Sequence, residues 1–209
     1  LDFYDRLVDG LLSRGIDPLI TLYHWDLPES LEAEGGWVPR KIVRDFENYA
    51  ELLARRLGDR VRSWVTINEP LSVVGSGYLA GAHAPGRRNV IAALRALHHL
   101  LLAHGHAVTR LKEILPGARV GIANAFSPVY PFRRKDVRAA TRVSAALNRL
   151  CMYLILLGHY PRKLEPLIKL ITRGIRPGDF EAMSVPFDFI GVNHYSRYIA
   201  RRTFLPFIG

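Results

Sequence analysis

The sequence predicts an α/β protein that is built on a parallel sheet. Along its 209 residues, stretches with helical periodicity alternate four times with short apolar runs, and a loop follows each run. Such alternation is typical of a parallel sheet with helices packed outside it. A closed barrel of eight strand–helix units takes about 250 residues or more, so four units predict half of such a barrel. We expect this half-barrel to be a single domain over residues 1–209.

The first two units are predicted from apolar spacing and from residues that end helices. Apolar residues recur at helical spacing over Phe3–Leu12, and Gly15 is placed to end that helix. The nearly continuous apolar run Pro18–Tyr23 is typical of a strand that is covered on both faces. A second apolar stripe predicts a helix within Pro39–Gly58, and the next strand is predicted at Val61–Ile67.

The last two units follow the same order. A third helix is predicted over Asn89–Leu115, whose first residue suits a helix N-cap, and a strand follows at Val120–Ala123. The fourth unit has a helix over about Asp136–Leu157, a shorter helix over Lys163–Thr172 and a strand at Phe187–Val192.

Composition narrows the classes of protein that the sequence fits. The single cysteine, Cys151, excludes an intrachain disulfide and favours a reducing compartment, so we expect a cytoplasmic protein without a signal peptide. The net charge is +10, but the basic residues are scattered in pairs without interleaved aromatics, which favours a solvated surface over nucleic-acid binding. The richest apolar run, Leu150–Leu157, is less than half of the ~20 residues that a membrane-spanning helix needs, so we expect no membrane partner.

Polar and aromatic side chains collect at the carboxyl ends of the predicted strands. These ends meet at one edge of a parallel sheet, where functional groups of barrel proteins lie. Carboxylate, amide, imidazole and aromatic groups are suited to a sugar, because they bind its hydroxyls and cover its ring. The strand-end residues are His24-Trp25-Asp26, Asn68-Glu69-Pro70, Asn124 with Phe126, and Asn193-His194-Tyr195.

Motifs along the whole chain, taken in order, resemble glycoside hydrolase family 1, a family of retaining β-glycosidases. The matching segments are His24-Trp25-Asp26-Leu27-Pro28 with Gly35-Gly36-Trp37, Trp64–Pro70, Gly77-Tyr78 with Ala84-Pro85-Gly86, His98-His99-Leu100, and Asp188–Asn193. The resemblance implies a TIM (β/α)8 barrel, of which this chain supplies about four consecutive units, the family's strands three to six. It also implies hydrolysis of β-glucosides or related β-glycosides by a retaining double displacement, without a metal or organic cofactor.

The resemblance also assigns roles to residues at matching positions. Glu69 corresponds to the acid/base carboxylic acid, and Asn68 corresponds to the amide that contacts the sugar 2-hydroxyl. The family's nucleophile glutamate has no counterpart up to Gly209, so the isolated chain is expected to be incomplete and inactive. The remaining substrate-site positions are His24 and Trp25 as sugar contacts, Asn193 beside the pocket, and Tyr195 as the partner of the nucleophile.

The chemistry of glycoside cleavage agrees with a carboxylic acid at Glu69. A glycosidic oxygen leaves poorly unless it is protonated as the bond breaks, so the environment of the donor should disfavour the anion. The structural alternatives are a helix cap or surface residue for Glu69, a structural histidine for His24 and a core indole for Trp25. For His98, His99, His104 and His106 we favour helix packing over metal binding, because no His-Glu-x-x-His pattern is present.

Two functional hypotheses remain open from the sequence. One is the central segment of a β-glucosidase-like hydrolase whose substrate is a β-glycoside or oligosaccharide. The other is a catalytically inactive half-barrel fragment that acts as a sugar-binding or interaction module; departures from the family pattern at Leu150–Leu154 and His194 would fit such a degenerate copy. An open half-barrel has unpaired edge strands, which predicts self-association or a complementing chain.

Overall fold

A parallel sheet forms the centre of the part of the chain that the structure describes. The computed structural model describes residues 1–161 and 174–202. Within them, neighbouring strands of this sheet pair in parallel in the order β1 (Leu19–Tyr23), β2 (Ser63–Asn68), β3 (Arg119–Ala125) and β5 (Phe189–Asn193). The predicted α/β class and its parallel strands are therefore confirmed, and the observed bounds differ from the predicted ones by at most two residues.

The strand register brings the ends of β2 and β5 to either side of the end of β3. Asn68 pairs with Ala123, and Asn193 pairs with Ala125. The pairing of β2 with β3 shifts between Val65 and Asn68, so the irregular part of the ladder lies directly before Glu69. Because the strands are parallel, the residues that follow all of them lie at the same edge of the sheet.

Helices follow each strand of the sheet along the chain or precede it, and the longest helix confirms the predicted cap. The side chain of Asn89 accepts a hydrogen bond from the backbone N–H of Ala92 at 2.9 Å, which satisfies one of the free donors of the first helical turn. Gly15, at φ 70°, follows the first helix as expected. The helices are α1 (Asp2–Leu12), α2 (Glu29–Ala33), α3 (Lys41–Leu57), α4 (Pro70–Val74), α5 (Val90–Ile114), α6 (Val137–Ser144), α7 (Leu150–Leu157) and α8 (Asp179–Met183).

The hydrophobic core lies between the sheet and the helices α3 and α5. Trp64 and Ile122 from the strands and Leu100 and Leu101 from α5 are buried in one cluster. Burying such side chains contributes about 1.5–3 kcal/mol each to stability. Helix α5 also approaches α8 so closely that a Cβ at Gly105 would lie 1.7 Å from the carbonyl oxygen of Ala182. Any larger residue at that position would therefore force the two helices apart.

Several local features differ from the sequence-based expectations. Pro39 lies before α3, which begins at Lys41, and the predicted fourth helix contains a π-helical section over Ala145–Arg149 between α6 and α7. A second, two-stranded parallel sheet, formed by β4 (Val129–Pro131) and β6 (Tyr198–Ala200), was not predicted. The predicted helix over Lys163–Thr172 lies outside the described residues.

The expectation that no segment could span a membrane is wrong on length and composition. Among the described residues, one helix, Arg134–Leu157, is long enough and apolar enough to do so, and 28% of its apolar window is buried inside the protein. The apolar run Leu150–Leu157, on which that expectation rested, is only the C-terminal end of this helix. The alanines and valine of α6 and the π-helical section extend the apolar stretch towards the N-terminus of this helix.

Both edges of the central sheet are open within the described residues. Strands β1 and β5 each pair with one neighbour, and Leu19 and Val192 on these strands are exposed. An edge strand presents unpaired backbone N–H and C=O groups that can pair with another strand.

Candidate active site

The structure brings all six of the predicted site residues into one cluster at the carboxyl edge of the sheet. Glu69 directly follows β2, and the hydrogen bonds of its neighbours connect it to residues that follow β1 and β5. The cluster consists of His24, Trp25, Asn68, Glu69, Asn193 and Tyr195.

Glu69 occupies an unusual backbone conformation between β2 and α4. Its φ of 51° lies in the left-handed region, which costs a non-glycine residue about 1–2 kcal/mol. Its N–H donates to the carbonyl oxygen of Ala123 on β3 at 2.8 Å, and Pro70 begins α4 immediately afterwards. The turn therefore joins strand to helix while it keeps Glu69 against the end of β3.

Glu69 is the N-cap residue of α4, but its side chain neither caps this helix nor lies on the surface. Glu69 precedes α4, but its side chain makes no capping hydrogen bond, and the residue is only 5% exposed. Its Oε1 instead accepts a hydrogen bond from Nδ2 of Asn193 at 2.7 Å. The carboxyl group is thus buried and directed towards β5.

Asn193 connects the two strand ends through a single amide. Its Nδ2 donates to Oε1 of Glu69 at 2.7 Å and to Oδ1 of Asn68 at 2.9 Å, which uses both of its amide hydrogens. The exposed hydroxyl of Tyr195 also donates to Oε1 of Glu69, at 3.4 Å. Because Oε1 accepts from two donors, a proton carried by this carboxyl group would reside on Oε2.

Asn68 connects the β1 end to the cluster. Its Nδ2 lies 3.2 Å from Nε2 of His24, so this amide donates and the imidazole nitrogen accepts. The indole Nε1 of Trp25 donates to the backbone carbonyl oxygen of Asn68 at 2.9 Å. Trp25 has a φ of 81°, a left-handed conformation that places its indole beside β2. The half-buried Trp25 therefore lies at this edge of the sheet, where it also packs against the hydrophobic core.

Two further residues lie near the cluster without having been predicted as site residues. The imidazole of His83 packs against the indole of Trp25 with ring centroids 5.4 Å apart. Asn124 lies near the carboxyl end of β3, at the same edge of the sheet. It is buried, and within the described residues its Nδ2 has no hydrogen-bond partner. Sequence reasoning placed Asn124 at a strand end, but no sequence signal relates His83 to Trp25, because that contact depends on how two loops fold.

The histidines of α5 make hydrogen bonds within the protein. The shortest joins Nδ1 of His104 to the hydroxyl of Thr66 at 2.7 Å, and burial lowers the pKa of His104 to about 3. Nδ1 of His99 donates to the carbonyl oxygen of Trp37, and His106 contacts Glu47. Within residues 1–161 and 174–202, no group of three or more histidine, cysteine, aspartate or glutamate side chains could hold a metal ion.

The arrangement of the cluster agrees with the family resemblance, and comparison with known proteins decides the family. Residues 1–205 match the description of glycosyl hydrolase family 1. The chain belongs to glycosyl hydrolase family 1. The match extends over nearly the whole chain, so it confirms the resemblance to this family that separate motifs indicated.

Curated relatives in family 1 are about twice as long as this chain. This chain is 37% identical over 205 residues to Beta-glucosidase A of Thermotoga maritima, and the match covers 96% of this chain and 46% of that protein. It is 44% identical over 197 residues to Thermostable beta-glucosidase B of Thermobispora bispora, and this match covers 94% of this chain and 41% of that protein. The chain thus spans about half the length of the curated relatives it matches.

Solved structures of family 1 proteins show the same fold. The psychrophilic beta-glucosidase BglU from Micrococcus antarcticus is 48% identical, with a TM-score of 0.88 over 94% of this chain and 43% of that chain. A beta-glucosidase from Exiguobacterium marinum is 38% identical, with a TM-score of 0.92 over 99% of this chain and 49% of that chain. A structure of the Thermotoga maritima beta-glucosidase in complex with deoxynojirimycin is also similar, with a TM-score of 0.87.

Proposed function

We propose that this chain supplies the acid/base side of a retaining β-glycosidase site, with Glu69 as the acid/base residue. The observation that carries the proposal is the buried Glu69 carboxyl group at the end of β2, held by Asn193 from β5. The chain would form strands three to six of a (β/α)8 barrel. The names of the relatives, which are beta-glucosidases, support a β-glucoside or a related β-glycoside as the substrate.

The proposed reaction uses the Glu69 carboxyl group twice. In the first step, Glu69 gives its Oε2 proton to the glycosidic oxygen while a second carboxylate attacks the anomeric carbon and the leaving group departs. In the second step, Glu69 removes a proton from water as that water displaces the second carboxylate. A retaining mechanism needs the two carboxyl groups about 5–5.5 Å apart.

The neighbours of Glu69 suit the recognition of a sugar. Asn68 and His24 share a hydrogen bond, so a sugar hydroxyl can be recognised by an amide and an imidazole that orient each other. Trp25 can offer its half-buried ring as an apolar wall. Asn193 acts on Glu69 and Asn68 together, so it fixes the distance between the proton donor and the hydroxyl-binding amide.

None of the other described carboxylates that we considered suits the role of nucleophile. Asp188 accepts from Lys112 and from the backbone N–H of Val120, which places it at the opposite end of the sheet. Glu32 pairs with Arg87, and Glu34 pairs with Lys41. Asp26 lies exposed in the loop after β1. We therefore expect the 209-residue chain alone not to hydrolyse an aryl β-glucoside.

The open edges of the sheet indicate a need for further strands. Strands β1 and β5 end the described sheet, and closing a barrel would require partners on both sides. We propose that the isolated chain self-associates or binds a complementing chain. Sedimentation of the purified chain tests this: a stable, dilute monomer would contradict it.

The role of Glu69 can be tested in a chimera that supplies the second carboxylate. The part of this chain that matches Beta-glucosidase A of Thermotoga maritima would replace the matching segment of that protein. We expect Glu69→Gln to slow cleavage of alkyl β-glucosides by about 10²–10⁴-fold, the usual contribution of positioned acid catalysis. Aryl glucosides with acidic leaving groups should lose less in the glycosylation step, because their leaving groups need less protonation.

The matched control is Glu113→Gln, because Glu113 is an exposed glutamate that pairs with Arg110 far from the cluster. This variant should cleave both substrates as the unchanged chimera does. If Glu69→Gln slowed the alkyl and aryl substrates by the same factor in glycosylation, Glu69 would not be the proton donor.

A further inference from the structure

A small cavity lies beside Glu69, on the side of α4 and β3. Its volume is about 190 Å³, and it is lined mainly by residues of α4, β3 and the loop that follows β3. Its lining combines apolar side chains such as Leu71 and Leu147 with several polar groups. The polar side chains are those of Glu69, Ser72, Asn124, Ser127 and Tyr198.

Asn124 is the unusual member of this lining. It is 5% exposed, and within the described residues its Nδ2 has no hydrogen-bond partner. A buried donor that lacks a partner is costly, and such donors in native proteins usually bond to protein groups or ordered water. Asn148 shows the ordinary case in the same region, since its Nδ2 donates to the carbonyl oxygen of Ser127 at 2.9 Å.

A neighbouring cavity that shares part of this lining is almost entirely apolar. Its volume is about 360 Å³, and apart from Tyr160 its lining is formed by aliphatic side chains and glycine. Leu71 and Leu147 contribute to both cavities. Apolar cavities of this kind stay dry, whereas a cavity with several polar groups can hold water. The two cavities therefore differ in what they can hold, although they share part of their walls.

The volume of the cavity beside Glu69 suits water molecules better than a sugar. Sites for organic ligands usually have volumes of about 300–1,000 Å³. A volume of 190 Å³ is smaller than these but has room for roughly six waters at about 30 Å³ each. The Asn124 amide, the Ser72 and Ser127 hydroxyls and the Glu69 carboxyl group offer the two to four polar partners that a buried water needs.

We propose that this cavity holds ordered water and supplies the hydrolytic water to Glu69, with Asn124 as the donor that retains it. This proposal rests on the proposed function of Glu69. In the second step, a water oxygen forms a bond to the anomeric carbon as the bond to the second carboxylate breaks. The proton of that water passes to Glu69, which returns to its acid form, and another water from the cavity replaces the one consumed.

Water occupancy can be measured on the 209-residue chain without any activity. We expect the side-chain amide protons of Asn124 to show a nuclear Overhauser effect from water that tumbles with the protein. Asn148, whose amide donates to Ser127 and Ser144, is the internal control and should show none. The absence of the effect at Asn124 would show a dry cavity and overturn the proposal.

The catalytic consequence can be measured as a product ratio in the chimera. With an aryl β-glucoside in aqueous methanol, Asn124→Leu should raise the ratio of methyl glucoside to glucose by about 3- to 10-fold, the size of one lost neutral hydrogen bond. Glu113→Gln should leave the ratio unchanged. An unchanged ratio in a folded Asn124→Leu chimera would overturn the supply of water from this cavity. Failure of the Glu69 role would appear separately, as a Glu69→Gln chimera that cleaves alkyl glucosides normally.

Discussion

Two buried carboxylates, Glu69 and Asp179, join distant parts of the chain in different ways. Asp179 accepts from Nη1 of Arg40 at 2.8 Å, also from Nη2 of the same guanidinium, and from Nε2 of His98 at 2.9 Å. Glu69 accepts from the Asn193 amide and the Tyr195 hydroxyl, and none of the described cationic side chains hydrogen-bonds it. One carboxylate thus has a charged partner, and the other has neutral donors.

The partners determine what each carboxylate can do. Burial alone would raise the pKa of Asp179, but hydrogen bonds from Arg40, from the backbone of Arg176 and from His98 hold that pKa well below its usual range. Asp179 therefore stays an anion and fastens α3, α5 and α8 together. Protonation of Glu69 would break no ion pair with a described residue. Such surroundings suit the acid/base role that we propose for Glu69.

The chain should lose stability in acid because two histidines of α5 are buried, and this is the largest effect that we expect. Burial lowers the pKa of His99 to about 4 and that of His104 to about 3. An unfolded histidine titrates near 6.5, so below that pH the unfolded chain binds protons that the folded chain does not, and stability falls as the pH falls. From pH 7 to pH 5 the two histidines should cost about 4 kcal/mol, measured by urea denaturation.

The same experiment can test one of these histidines. His99→Gln keeps a donor for the carbonyl oxygen of Trp37 but cannot be protonated, so the loss should shrink by about half. Equal stability of the unchanged chain at both pH values would contradict the buried, neutral state of these histidines.

Asp179→Asn should destabilise the chain more than Glu69→Gln does. Breaking a buried ion pair costs about 3–5 kcal/mol, and because the Arg40 side chain is 27% exposed we expect about 2–3 kcal/mol for Asp179→Asn. Glu69→Gln keeps an acceptor for Asn193 and should cost less than about 1 kcal/mol. Urea denaturation of both variants at pH 7 tests this comparison, which equal losses would disprove.

The Asn193 amide should matter more for rate than for stability. Asn193→Leu removes both hydrogen bonds that position Glu69 and Asn68, and an ordinary hydrogen bond contributes about 0.5–1.5 kcal/mol. In the chimera we expect glucoside cleavage to fall by about 10-fold or more, measured as kcat/KM. A variant with unchanged kcat/KM would show that Glu69 does not depend on this amide.

The Tyr195 hydroxyl should have the smallest effect. Its hydrogen bond to Glu69 is 3.4 Å long, and Tyr195 is 80% exposed, so water can replace it. We expect Tyr195→Phe to slow the chimera by about 2-fold. A loss as large as that of Asn193→Leu would mean that Tyr195 approaches Glu69 more closely when the barrel is complete.

Much of the local structure follows from short-range patterns. The strand near Pro18–Tyr23 and the cap at Asn89 depend on residues that are close in sequence, so apolar spacing and capping chemistry were sufficient to predict them. The short pair of β4 and β6 was not predicted, because three-residue strands carry little signal. The same holds for the π-helical section at Ala145–Arg149, whose sequence reads as ordinary helix.

By itself, the sequence determined the parallel α/β class and the edge of the sheet where the candidate site residues lie. It did so because every residue that directly follows a parallel strand lies at that edge, whatever the packing. Only the tertiary structure decided the partners of the two carboxylates. Asn193 reaches Glu69 across 124 positions, and His98 reaches Asp179 across 81, so these contacts depend on how strands and helices pack. Those partners, which no local pattern contains, place Asp179 in an ion pair and give Glu69 only neutral donors.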